Sequence, residues 1–176
     1  MKKNNTQKYI LNLEKKISNK KKGLPEDIFL FTSRITPLIN VDLLIKDKKL
    51  GTLLAWRNKG EKYPAGWHVP GGIIRFKEKI HNRVKLVAKN ELKINIIFKK
   101  KPIAINEIHL NQKNRSHFIS LLFSCKLKKK LNLKKRSKNS VEKSGEWMWF
   151  KKAPKNLIKP HKIYKKFLNF TFTDFV

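Results

Sequence analysis

Cysteine is almost absent from this 176-residue sequence, where Cys125 stands alone. No disulfide can form within one chain, which fits a reducing compartment, and a cytoplasmic location is the expectation. Cys125 closes the apolar run 118–125, so it reads as core filler rather than a nucleophile. Long apolar runs are missing as well. No stretch approaches the roughly 18 residues of a membrane span, and Tyr9 to Leu13 is too short for a signal-peptide core, so neither spanning nor secretion is expected. Acidic residues are scarce: 12 Asp and Glu stand against 43 Lys and Arg, a formal net charge of +31. A field of that size attracts polyanions. Most of these bases are Lys, however, and they accompany abundant Asn and Ile, a composition that drift on a solvated surface produces without any partner. Zinc-finger spacing, RNP-like aromatic patterns and basic zippers are all missing, so nucleic acid is not the favoured partner.

Hydrophobic residues make up 40% of the chain, with 11 Phe and 4 Trp, enough for one domain with a real core. Residues 1–22 read as a basic N-terminal extension in which Tyr9, Ile10, Leu13 and Ile17 recur at helical spacing. That stripe suits packing on the domain or on a second copy of the chain, which makes a homodimer one expectation. The domain proper is 23–176. Leu38 to Ile45 and Thr52 to Trp56 read as a hairpin turning at Gly51. Residues 66–72, rich in Gly and Pro, read as backbone-dominated loop. Lys77 to Leu92 predicts a helix whose Ile80, Val84, Val87, Ala88 and Leu92 form one apolar stripe. Strands follow over Ile94 to Phe98, Pro102 to Ile108, His117 to Leu127 and Glu146 to Phe150, the last two separated by a basic, polar loop without core pattern. A C-terminal helix interrupted near Pro160 closes the chain. This mixture indicates an α/β domain with a mixed β-sheet sandwiched between α-helices.

The chemistry concentrates in Val69-Pro70-Gly71-Gly72 and the helix after it. Glycines let main chain approach a ligand closely, Gly72 can offer a carbonyl to a metal, and Glu78 and Glu91 place carboxylates near the two ends of the helix. Together these suit a divalent cation held against a diphosphate. Asp42 lies in an otherwise apolar strand, where an acid requires a partner. His68, His109 and His117 show no metal-ligand spacing and read as structural, with His117 a candidate replacement base. Trp67 and Trp147 read as packing residues.

The spacing resembles the Nudix hydrolase signature G-x5-E-x7-R-E-U-x-E-E-x-G-U, where U is apolar. Gly72 takes the first position, Glu78 the first acid, Glu91 the last acid, and Ala88 and Ile94 the apolar positions. From Pro25 to Phe150 the chain is similar to the GDP-mannose mannosyl hydrolase branch. The matching residues are Thr36-Pro37-Leu38, Asp42, Leu53-Leu54 with Arg57, Gly66 to Gly72, Ser116-His117-Phe118 and Trp149. The resemblance implies a Nudix fold and Mg²⁺-dependent hydrolysis of a nucleoside diphosphate sugar or related derivative. It implies Glu91 and the Gly72 carbonyl as metal ligands, with Glu78 as a further candidate. Arg57 would contact the diphosphate, Asp42 the nucleotide base, and Arg34 would be a further substrate contact.

The box is degenerate. Its Arg is Leu86, two of its helix acids are Val87 and Asn90, and its Gly is Lys93. An Arg that the branch carries after the Gly pair is Ile73 here. Its late metal-binding Gln and catalytic His fall near Lys143 and Ser144, and neither replacement does that job, because a protonated Lys repels Mg²⁺ and Ser is a poor base. Glu142 and Glu146 are the candidates for the missing base. The rival reading is a catalytically impaired Nudix-fold protein that binds nucleotide or RNA.

Overall fold

The computed structural model describes residues 5–59, 65–137 and 143–169. Its centre is a mixed sheet. Strand β1 (Leu38–Asp47) pairs in parallel with β7 (His117–Leu127) over eight positions, from Leu38 opposite Phe118 to Ile45 opposite Cys125. Along its other edge, β1 pairs antiparallel first with the short β4 (Gly71–Ile73) and then with β2 (Gly51–Arg57). β2 carries β3 (Gly66–His68) on one side and β8 (Trp147–Phe150) on the other. β5 (Ile96–Phe98) and β6 (Ala104–His109) pair end to end along β7. Residues 41–46 of β1 are all buried, as a strand covered on both faces requires.

Two layers of helix cover the sheet. On one face, Val41, Leu43, Ile45 and Phe123 pack against Val84, Val87, Ala88 and Leu92. Those four belong to α3 (Ile80–Val87) and the π-helical turn Ala88–Leu92 that extends it. The expected stripe is thus buried except Ile80, which is 41% exposed. Each buried Val or Leu of this stripe contributes about 1.5–3 kcal/mol. On the other face, Leu44, Leu122, Trp67 and Val69 pack against Tyr164, Phe167 and Leu168 of a C-terminal 3-10 segment (Lys159–Tyr164) and α4 (Lys165–Asn169). Further along that face, Phe29 of α2 (Glu26–Ile35) meets Leu38, Ile108 and Phe118. The expected sandwich of a mixed sheet between helices is therefore the observed architecture. Cys125 and both expected packing tryptophans are buried.

Several details depart from the sequence reading. α3 starts at Ile80 rather than Lys77, because Lys77 takes a left-handed conformation (φ 55°) and Glu78 closes a turn onto the Arg75 carbonyl. The 66–72 stretch forms β3 and β4 instead of a loop. The basic segment after β7 contributes Leu131 to the core. A helix, α1 (Asn5–Lys15), does form in the extension, with none of its residues buried and Tyr9, Ile10 and Leu13 exposed. No helix among the described residues is long and apolar enough to cross a membrane.

Candidate functional site

The Gly pair sits where two packing demands meet. Gly71 lies opposite Asp42 in the β1–β4 ladder and Gly72 opposite Val41, so the two residues face opposite sides of the sheet. A Cβ on Gly71 would overlap the Asp42 carboxylate, and one on Gly72 would come within 2.9 Å of Val87 Cγ2 on α3. The absent side chains let α3 press onto the turn. From the π-turn, Glu91 then reaches that turn: Oε1 accepts the Gly71 N–H at 3.0 Å, and Oε2 lies 3.1 Å from His68 Nε2. π-turns of this kind interrupt helices often at functional sites.

A cleft opens beside this contact. Its lining includes Asn40, Asp42, Arg57, His68, Gly71, Gly72, Arg115 and His161. Three of the expected site residues, Asp42, Arg57 and Gly72, therefore border one space, and Glu91 is bonded to two residues of the same wall. His161 accepts the Val69 N–H at Nδ1 (2.9 Å), and burial, with the nearby His68 and Arg57 charges, pushes its pKa well below the usual imidazole value. A neutral ring accepting at Nδ1 carries its proton on Nε2, so His161 is a fixed hydrogen-bond donor.

Asp42 is 1% exposed and has internal partners. Its Oδ2 accepts from Ser120 Oγ (2.5 Å), Tyr164 OH (2.5 Å) and Asn40 Nδ2 (2.7 Å). Burial raises its pKa to about 6 against those hydrogen bonds, with the Glu91 charge adding to the rise. Through Tyr164, Asp42 anchors the 3-10 segment that carries His161. Asp42, which the sequence suggested as a nucleotide-base contact, thus lines the cleft with its Oδ2 engaged by internal partners.

Other expected site residues lie elsewhere. Glu78 bonds the Arg75 N–H and pairs with Arg83 (Nη2 at 2.6 Å, Nε at 2.8 Å), locking the turn ahead of α3. Glu146 accepts the Lys143 N–H at 3.1 Å within its own turn, while its carbonyl bonds Trp56. Arg34, at the exposed end of α2, donates to Asn114 Oδ1 and lies over the Phe31 ring. None of the three lines the cleft. Glu142 lies outside the described residues. Of the box departures, Val87 is core and Asn90 is exposed, so neither replaces the acid its position lost.

Sequence reasoning missed Arg115, His161 and Asn40. Arg115 adopts φ 54° in the turn between β6 and β7, and His161 follows Pro160 in the 3-10 segment. No local pattern marks either; only the folded chain brings them to the cleft. His109 and His117, apart in sequence, are direct cross-strand partners.

Two buried polar atoms on the cleft wall, Asn40 Oδ1 and His68 Nδ1, have no hydrogen-bond partner in the protein. A carboxylate has about four lone-pair sites, so Glu91 keeps acceptor capacity beyond Gly71 and His68. A carboxylate and an amide oxygen are the donor types that a hard divalent cation takes alongside water and phosphate oxygens.

No protein-family model and no curated protein matches this sequence. Solved structures do match the fold. The MutT protein from Methanosarcina mazei Go1 aligns with a TM-score of 0.57 at 17% identity, covering 76% of this chain and 94% of its own. A NUDIX-family hydrolase from Clostridium perfringens aligns at 0.54 and 13%, covering 76% and 97%. A UDP-X diphosphatase aligns at 0.54 and 16%, covering 91% and 86%. At these identities the likeness is one of architecture, and this chain has the fold of the Nudix hydrolases.

Proposed function

We propose that the chain is a divalent-metal-dependent Nudix-type hydrolase of a nucleoside diphosphate derivative, with a nucleoside diphosphate sugar of the GDP-mannose kind as the finer reading. The observation that carries it is the convergence of the Gly71-Gly72 pair, Arg57, Arg115 and His161 on one cleft, with the Glu91 carboxylate bonded to Gly71 and His68 of its wall. A UDP-X diphosphatase among the fold neighbours supports a nucleoside diphosphate substrate.

Glu91, with the Gly72 carbonyl and Asn40 Oδ1, would hold Mg²⁺. When bound, the ion neutralises phosphate charge and acidifies a water molecule. The chain's own groups do the rest. Arg57 and Arg115 present guanidinium charge to the diphosphate, whose leaving oxygen gains negative charge as its bond breaks. His161 Nε2–H donates to a phosphate oxygen without changing its own protonation. Asp42 and Tyr164 hold that imidazole in place, and the Gly71 N–H fixes the Glu91 carboxylate.

Turnover of a panel of sugar nucleotides and other nucleoside diphosphate derivatives with Mg²⁺ tests this reading. Release of nucleoside diphosphate and free sugar marks attack at the sugar carbon; nucleoside monophosphate and sugar phosphate mark attack at phosphorus. Absence of hydrolysis across the panel would reject it. A second reading then applies, in which the domain binds nucleotide or RNA without turnover. The buried Val87 and exposed Asn90 at lost acid positions and the +31 charge favour it. It expects affinity that falls steeply with salt.

A further inference from the structure

We propose that Glu107, His109 and His117 form a second metal site, selective for a zinc-class ion and separate from the cleft. Among the described residues, these are the three His, Cys, Asp or Glu side chains whose ligand atoms converge, all within 4.8 Å of one another. The β6–β7 register builds the cluster. His109 and His117 are direct antiparallel partners, and Glu107, two residues before His109, projects from the same face. Glu107 Oε1 lies 3.1 Å from His109 Nε2 and 3.2 Å from His117 Nε2, and the two imidazoles stack with centroids 4.4 Å apart.

The two carboxylate–imidazole distances are near those of a tetrahedral site. Metal–nitrogen and metal–oxygen bonds of about 2.0–2.2 Å at tetrahedral angles separate neighbouring ligand atoms by roughly 3.3–3.5 Å. Two imidazoles and one carboxylate suit zinc and reject magnesium or calcium, which want oxygen. Glu107 and His109 are exposed and His117 is half-buried, so the ion enters from solvent and the fourth position stays open to water.

The site lies across the sheet from the cleft. Ile108 and Phe118, the neighbours of these ligands in each strand, line the cleft from the other face. An ion here would pin both ends of the 110–116 turn that carries Arg115.

The test uses the full-length chain, without an affinity tag and stripped of metal by a chelator, titrated with Zn²⁺ by calorimetry and with Co²⁺ by visible absorption. With excess Mg²⁺ present to occupy the cleft, one zinc or cobalt ion per chain is expected, with the intense bands of tetrahedral cobalt and a melting temperature raised by several degrees in zinc. His117→Asn, His109→Asn and Glu107→Gln should each weaken binding at least tenfold, while Glu91→Gln leaves it unchanged. No zinc binding to the parent chain, or equal binding by all three variants, overturns the assignment. Melting curves without metal verify that the three substitutions leave the fold intact.

Discussion

Glu91 Oε1 accepts the backbone N–H of Gly71 at 3.0 Å, tying the π-turn that extends α3 to the start of strand β4 twenty residues earlier. The same carboxylate is bonded to His68, so it backs two residues that line the cleft, His68 and Gly71. Glu91→Gln keeps the shape and an acceptor for the Gly71 N–H while removing the charge. Turnover should fall by about 10²-fold or more, in line with loss of the carboxylate that would hold the metal ion against the phosphates. The melting temperature should move by no more than a few degrees. Unchanged turnover beside a large loss of stability would reduce Glu91 to a structural clamp.

Asp42 gives the fold a pH signature. Burial raises its pKa from 3.8 to about 6, so the folded state holds this proton more tightly than the unfolded state does. The resulting stabilisation is fully present below pH 3.8 and is lost as pH rises through about 6. The span corresponds to about 3 kcal/mol at most. Asp42→Asn lacks this titration. The stability of the variant relative to the parent should therefore rise between pH 4 and pH 7, read from denaturant melts at each pH. A constant difference across that range would mean Asp42 stays ionised when buried.

What could be read in advance follows the range of the interactions involved. β7 is predicted at its observed bounds because its apolar run reflects burial within one strand, and the α3 stripe declares itself through 3.6-residue spacing. Glu91 and Gly72 are legible because both lie in one local motif. His161 is not legible: its position depends on Tyr164 bonding Asp42, 122 residues away. Arg115 reaches the cleft through the left-handed turn that joins β6 to β7, and the pairing of His109 with His117 needs the register of that hairpin. Glu78 shows how little a local pattern says about a side chain's partner. Its motif position is right, but Arg83, five residues on, takes its carboxylate.

The two glycines should fail in distinguishable ways. Gly71→Ala places a methyl group on the carboxylate of Asp42, which three hydrogen bonds hold in place, so it should cost more than about 3 kcal/mol. Gly72→Ala meets the end of the Val87 side chain and should cost about 1–3 kcal/mol. Adding Val87→Ala removes the clash, so the double variant should be more stable than the sum of the two single losses. Additivity in that cycle, measured by denaturant unfolding, would show that Gly72 is not in contact with α3.

Lys93 stands where the Nudix signature has its glycine, and the structure gives a reason for a glycine there. The residue closes the π-turn at φ 57°, ψ 33°, donating its N–H to the Ala88 carbonyl. For a residue with a Cβ this left-handed conformation costs about 1–2 kcal/mol. Glycine takes it without strain but gains freedom in the unfolded chain, which returns about 0.4–1 kcal/mol. Lys93→Gly should therefore stabilise the fold by roughly 0.5–1 kcal/mol, a rise of a few degrees in melting temperature for a domain of this size. Lys89→Gly, at an exposed position inside the same turn, should do the reverse by a similar amount. If both substitutions destabilise equally, the left-handed geometry at 93 carries no strain, and the missing glycine of the box has no energetic consequence.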